Sequence, residues 1–178
     1  SVVANGGCAH SINGYSAVYG SGTFNNFFLR WDNSQLTTTS HGFYMAAVGA
    51  SGATVSITSC SGLRQMVTSG DCVQIGSGTS IYLRVISSTI SSGGDNFQCG
   101  AASAVSITAS SSSLLSSSNN VHFTSTVTAL VAYAYSGTTL SAGGRNFFVT
   151  SDMMSSSITC QGSTFTAPSN DGVYVGGA

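Results

Sequence analysis

The sequence predicts an all-β protein, and three observations support that prediction. Short runs rich in Val, Ile, Thr, Tyr and Phe recur along the 178 residues, bounded by clusters of Gly, Ser and Asn. The helix formers Lys and Glu are absent. Hydrophobic residues make up 42% of the chain, which is enough to fold despite its low charge. We therefore predict a single domain of short antiparallel strands.

An internal repeat of roughly 50 residues organises these strands. Two apolar columns carry the alignment, one of Phe43, Phe97 and Phe147 and the other of Leu36, Ile90 and Leu140. Three units of about four strands fit a threefold β-trefoil or β-prism, and an accidental alignment leaves a β-sandwich or jelly roll as the alternative. Both columns are predicted core, where full burial stabilises by about 1.5–3 kcal/mol per side chain.

The repeat also sets the predicted organisation of the chain. A leader or arm occupies residues 1–13, and one all-β domain occupies 14–178. The domain divides into units 14–70, 71–119 and 120–171 and a closing strand, 172–177. Four Gly-rich segments are predicted to form hairpin turns: Gly20–Thr23, Gly76–Thr79, Gly93–Asn96 and Gly143–Asn146.

Charge excludes several classes of function. Charged residues are 5% of this chain, against about 25% in an ordinary soluble domain, and the net charge is -1. No basic patch is available for nucleic acid. The absence of Glu excludes a metalloprotease H-E-x-x-H helix and a Glu-based glycosidase. The longest apolar stretch, around 129–135, is too short for a membrane span of about 20 residues, so we expect no membrane insertion.

The five cysteines lack C-x-x-C spacing, so disulfides are the predicted use. Cys60 and Cys72 flank an excursion that a disulfide would close as a hairpin. Cys99 shares a repeat column with Met45 and Val149, which predicts a buried free thiol. Disulfides and a Ser- and Thr-rich surface indicate an extracellular, cell-surface or virion-surface location.

No catalytic, cofactor or metal site emerges from the pattern, so we predict a protein that is not an enzyme. A hydrolase using His41 or His122 is a distant third hypothesis, because neither has a nucleophile elbow or triad partner at a recognisable spacing. His122 lies between Val121 and Phe123 in a predicted strand and is expected to face solvent. With five Asp and no Glu, the stability of the fold should change little with pH.

The leading hypothesis is a structural subunit that assembles with copies of itself into a filament, coat or capsid. The surface lacks the charged residues that normally guard strand edges. The candidate inter-subunit residues are Cys8 in the leader and Val173, Tyr174 and Val175 in the closing strand. We expect the leader and the closing strand to pair with a neighbouring subunit by strand addition.

The alternative hypothesis is a carbohydrate-binding module. Trp31, Asp32 and Asn33 form the one local cluster that combines a ring for stacking on a sugar with polar hydrogen-bonding groups. The equivalent positions of the repeat do not reproduce this cluster, so three equivalent sites are not predicted. Glycans are the partner that this second hypothesis implies.

Overall fold

The computed structural model describes residues 2–4, 9–12, 16–25, 27–49, 52–58, 63–64, 70–168 and 171–176. These residues form strands and turns without any helix, and hence without a helix that could span a membrane. In chain order the strands are β1 (Val2–Ala4), β2 (Ala9–Ile12), β3 (Val18–Phe24), β4 (Phe27–Asp32), β5 (Gln35–Thr38), β6 (Phe43–Val48), β7 (Ala53–Thr58), β8 (Leu63–Arg64), β9 (Val73–Ile86), β10 (Thr89–Ser92), β11 (Phe97–Ser110), β12 (Ser113–Ser116), β13 (Val121–Phe123), β14 (Val127–Tyr135), β15 (Thr139–Ala142), β16 (Phe147–Val149), β17 (Met153–Gln161), β18 (Thr164–Thr166) and β19 (Val173–Val175).

The strands stack in parallel to form a β-solenoid with three faces. Face A contains β1, β4, β7, the second half of β9, the second half of β11, β14 and β17. Face B contains β2, β5, β8, β10, β12, β15 and β18. Face C contains β3, β6, the first halves of β9 and β11, β13, β16 and β19. The chain passes through A, B and C once in each coil, which gives seven coils in the part of the chain that the structure describes.

The all-β prediction is confirmed, but the antiparallel trefoil, prism and sandwich predictions are wrong. Parallel and antiparallel strands have similar local composition, so the runs of β-forming residues did not distinguish them. The Gly-rich segments are also not hairpins. Gly93–Asn96 joins β10 to β11 within one coil, and Gly76–Thr79 lies inside β9 where the strand bends from face C to face A.

The predicted repeat spans two coils. One coil separates Asn96 from Asn120, 24 residues later, and the next separates Asn120 from Asn146, 26 residues later. The predicted unit boundaries after residues 70, 119 and 171 all fall at the corner between faces B and C, in every second coil. The leader is part of the stack, because β1 pairs with β4 and β2 pairs with β5.

Alternation of large and small residues explains the doubled period. One inner column of face C reads, coil by coil, Val18, Phe43, Val73, Phe97, Val121, Phe147 and Val173. Phenylalanine and valine alternate, so the rings interdigitate with smaller neighbours instead of meeting each other. The six predicted core residues are confirmed as buried. Each is at most 3% exposed: Phe43, Phe97, Phe147, Leu36, Ile90 and Leu140.

Corners between faces A and B are set by left-handed backbone. Asn33, Ser87, Ser111 and Ser136 have φ between 45° and 54°. The residue after each of the first three is a serine whose hydroxyl donates to a carbonyl just upstream, as Ser112 Oγ does to Ser110 O at 2.7 Å. Hydroxyl side chains therefore stabilise the turn that a short polar residue makes in the left-handed region.

Bends between faces C and A need glycine for close approach. A Cβ on Gly100 would lie 1.8 Å from the carbonyl oxygen of Gly76 in the preceding coil. A Cβ on Gly76 would in turn lie 2.2 Å from Ala46 O. Successive coils therefore stack backbone on backbone at this bend, which any larger residue would push apart.

Candidate functional site

A ladder of polar side chains runs along the corner between faces B and C. We call it the corner ladder; one member comes from each of five successive coils: His41, Asp71, Asp95, Asn119 and Arg145. Asp71 Oδ1 accepts a hydrogen bond from Asp95 N at 2.7 Å. Asp95 Oδ1 accepts one from Asn119 N at 2.8 Å. Asn119 Oδ1 accepts one from Arg145 N at 2.9 Å. The side chains of Asp71, Asp95 and Asn119 thus each accept a hydrogen bond from the backbone of the coil that follows.

The two carboxyls of the ladder are buried and have opposite pKa shifts. Asp71 is 6% exposed and Asp95 is 4% exposed. Burial raises the pKa of Asp71, and the charge of neighbouring Asp95 adds to that rise. Burial also acts against ionised Asp95, but hydrogen bonds from His122, Ser118 and Asn119 outweigh it and lower the pKa of Asp95. Asp95 is therefore the carboxylate that the structure stabilises.

His122 faces outward, as predicted, but it is enclosed by its neighbours. Its Nδ1 lies 2.7 Å from Asp95 Oδ2, and its ring stacks on Phe148 with the centroids 4.8 Å apart. Its Nε2 is buried and has no hydrogen-bond partner among the described residues. Arg145 places its guanidinium over the rings of Phe148 and Tyr174, at 4.6 and 4.4 Å.

Aromatic and amide side chains on the outside of face C stack on one another. Tyr19 and Tyr44 lie parallel with centroids 5.1 Å apart. Gln74 donates to Gln98 in the next coil. Because each ring or amide covers the face of its neighbour, this stripe stabilises the stack and offers few open ring faces for a sugar.

Buried carboxyls beside a histidine are the residue types of acid–base catalysis, and here both carboxyls, Asp71 and Asp95, are almost entirely buried. A surface groove of about 400 Å³ lies at the opposite corner, between faces C and A. Its lining consists of small residues, including Ser77, Ala101, Ser103 and Thr126, and contains no ionisable group. Within the described residues, no cluster of His, Cys and Asp has the geometry of a metal site. The hydrogen bonds of the corner ladder join adjacent coils.

Two of the three residues in the predicted sugar-binding cluster, Trp31 and Asp32, are buried. Trp31 is 5% exposed and packs against Phe43 in the core, with the ring centroids 5.6 Å apart. Asp32 is buried and pairs with Arg30. Asn33 occupies the left-handed corner position. Trp31 lies at an inner position of β4, where its ring packs into the core and is not presented to solvent.

The thiols are arranged differently from the prediction. Cys72 is a free, buried thiol that donates to Asn96 Oδ1 at 3.5 Å, so the predicted disulfide with Cys60 is not formed. A parallel stack places the next coil beside Cys72, where a hairpin would have placed Cys60. The prediction for Cys99 is confirmed: it is free and fully buried, and burial raises its pKa to about 12. Cys8 and Cys60 lie outside the described residues.

The last coil is uncovered. Each of its strands, β17, β18 and β19, pairs with only one other strand in the described part of the chain. Val173 and Val175 occupy inner columns that are buried from the second coil (Phe43, Met45) to the sixth (Phe147, Val149), yet they are 44% and 51% exposed. Cys160 likewise continues the buried column of Ala109 and Ala134 but is exposed. An apolar end with free strand edges is therefore a second candidate site.

Together these features define a parallel β-solenoid with internal polar ladders and an apolar last coil whose outer strand edges have no partner strand among the described residues. No protein family, curated protein or solved structure matches this chain.

Sequence reasoning missed the corner ladder because Asp71 and Asp95 look scattered when strands are assumed to be antiparallel. The missing signal was the coil period. Asp71 and Asp95 are separated by 24 residues, as are Gln74 and Gln98 and the pair Asn96 and Asn120. Identical or similar polar residues at one fixed spacing are typical of ladders in stacked coils.

Proposed function

We propose that this protein is a non-enzymatic structural subunit that assembles with copies of itself through the ends of its solenoid. The observation that carries the proposal is the uncovered last coil. Its exposed Val173 and Val175 continue columns that are buried from the second coil to the sixth, so burying them would be favourable by about 25 cal/mol per Å² of apolar surface.

Free strand edges support the same proposal. The outer edges of β17, β18 and β19 leave backbone N–H and C=O groups without a partner strand among the described residues. Soluble proteins usually protect such edges with charged residues, proline or a bulge. Between Met153 and Val175 the sequence has one formal charge, Asp171, and no Lys or Arg, and its one proline, Pro168, lies between β18 and β19 and not within a strand. Little therefore opposes the addition of another strand.

An extracellular, cell-surface or virion-surface location is part of this proposal. The chain has no Lys and four Arg, which leaves few cleavage sites for trypsin-like proteases. Its scarcity of ionisable groups suits a protein that must persist across a range of pH. The free thiols Cys72 and Cys99 are buried and so are shielded from oxidants.

Sedimentation velocity over a range of concentrations tests the proposal. We expect concentration-dependent oligomers that persist at high salt, because apolar burial and backbone pairing are only weakly screened. Val175→Lys should shift the chain to monomers by placing a charge at the contact. Tyr82→Lys adds the same charge to an exposed outward position on β9, three coils before the last, and should leave association unchanged. A parent chain that stays monomeric at all concentrations would rule the proposal out.

A further inference from the structure

We infer that the assembly is head to tail: the last coil of one copy pairs in parallel with the first coil of the next. This inference rests on the proposed function and specifies its geometry. The partner is a second copy of this chain, and the contact continues the solenoid from one molecule into another.

Both ends of the stack present the same three faces. The first coil offers β1 on face A, β2 on face B and β3 on face C. The last coil offers β17, β18 and β19 on those same faces. Each of the six strands has a single partner strand in the part of the chain that is described. A head-to-tail contact therefore completes three parallel pairs at once.

A contact between two identical ends cannot do this. A twofold axis reverses strand direction and exchanges two of the three faces, so face B of one copy would meet face C of the other. Head-to-tail stacking preserves both direction and face. Since such a contact uses two different surfaces and does not close on itself, it propagates as an open filament.

The register of the inner columns supports this geometry. Extending each column by one coil places five residues of the last coil over five of the next copy: Ile158 over Val2, Cys160 over Ala4, Phe165 over His10, Val173 over Val18 and Val175 over Gly20. Four of these five positions in the first coil carry an apolar residue or glycine. Residues 1–29 have no formal charge, so no like charge faces Asp171.

The corner ladder gives this contact a specific polar bond. Asp71, Asp95 and Asn119 each accept a hydrogen bond from the backbone nitrogen of the corner residue one coil later. Asp171 occupies the same column in the last coil, where this chain has no later coil in the described residues. In the head-to-tail register the corner residue that follows is Ser16 of the next copy. Asp171 is thus positioned to accept from the Ser16 backbone nitrogen across the contact.

Disulfide trapping tests the register. In a Cys8→Ser, Cys60→Ser background, Ala4→Cys should crosslink to Cys160 of the next copy after mild oxidation. Dimers, trimers and longer species should appear on a non-reducing gel, and Cys160→Ser should abolish them. Val3→Cys is the matched control, because Val3 is one register position away, aligned with Arg30 and Thr159, and should not crosslink.

Sedimentation of the same variants separates the two proposals. Two results would overturn the head-to-tail register but leave the proposed function standing. In the first, the reduced chain associates but Ala4→Cys forms no crosslink on oxidation. In the second, the crosslinked species are only dimers joined through Cys160 of both copies. Absence of any association would remove both.

Asp171 offers a second test. We expect Asp171→Ala to weaken association about tenfold. Asp171→Asn should retain most of it, because Asn119 fills the same role within the stack. Equal loss in both variants would overturn the role assigned to Asp171.

Discussion

Asp71 accepts a hydrogen bond through its Oδ1 from the backbone nitrogen of Asp95, 2.7 Å away and one coil further along the chain. The bond has a direction, from a side chain in one coil to the backbone of the next. Asp95 and Asn119 repeat it in the same direction. The solenoid is therefore polar along its axis, and its two ends differ chemically although they present the same three faces.

Replacing Asp71 by Asn should stabilise the fold at neutral pH. The raised pKa of Asp71 means that its ionised form is disfavoured in the folded state, by burial first and then by Asp95. Its contribution to stability is present below the pKa of the unfolded chain and is lost as pH rises through the folded pKa. Asn keeps an Oδ1 acceptor for Asp95 N without the charge. We expect a higher melting temperature at pH 7 and no advantage in acid.

Replacing Asp95 by Asn should have the opposite effect, although it removes the same charge. The lowered pKa of Asp95 means that its carboxylate stabilises the fold above the unfolded pKa, and that this contribution is lost as pH falls through the folded pKa. Loss of its bond to His122 should cost about 1–3 kcal/mol at pH 7. Denaturant unfolding at pH 7 and at pH 3 measures both variants. If both variants changed the free energy of unfolding at pH 7 in the same direction, the environments assigned to Asp71 and Asp95 would be contradicted.

The alternating column predicts a position-dependent response to a larger side chain. Val121 is fully buried between Phe97 and Phe147, so Val121→Phe should destabilise by about 1–3 kcal/mol through overpacking. Val173→Phe makes the same change in the same column at the open end and should cost less than about 0.5 kcal/mol. Urea unfolding at low protein concentration compares them. If Val121→Phe and Val173→Phe lowered the free energy of unfolding equally, the alternating Phe and Val column would be contradicted.

Thiol reactivity should divide the described cysteines into two classes. Cys160 is exposed and should react with a thiol reagent in the native protein. Cys72 and Cys99 should react only on unfolding, because both are buried and burial raises the pKa of each thiol. Mass spectrometry of peptides after native and denaturing alkylation provides the measurement. A Cys60–Cys72 disulfide in the native protein would contradict the environment described for Cys72.

The residue pattern predicted which residues are buried better than it predicted which strands pair. The positions of Phe97 and Ile90 could be predicted as buried, because alternation places apolar residues inside a strand whichever way its neighbours run. Strand direction depends on which distant segments pair, and that information was contained in the coil spacing. The alternation of Phe and Val concealed that spacing, because residues two coils apart in the column are identical whereas residues in adjacent coils differ.

The candidate site was harder to predict for a related reason. Trp31 next to Asp32 and Asn33 resembles a sugar site in sequence, but only the stacking of coils places Trp31 at an inner position. Asp71 and His122, in contrast, become neighbours of Asp95 only when coils are superposed. Val173 and Val175 were correctly recognised as strand residues, and the structure adds that their inner column ends there uncovered.

Electron microscopy of the purified chain tests the central claim most directly. Seven coils spaced about 4.8 Å apart give each subunit an axial length of about 34 Å. We predict unbranched filaments one solenoid wide, with an axial repeat of about 34 Å and all subunits pointing the same way. Monomers at high concentration, or closed dimers joined by identical ends, would contradict the account.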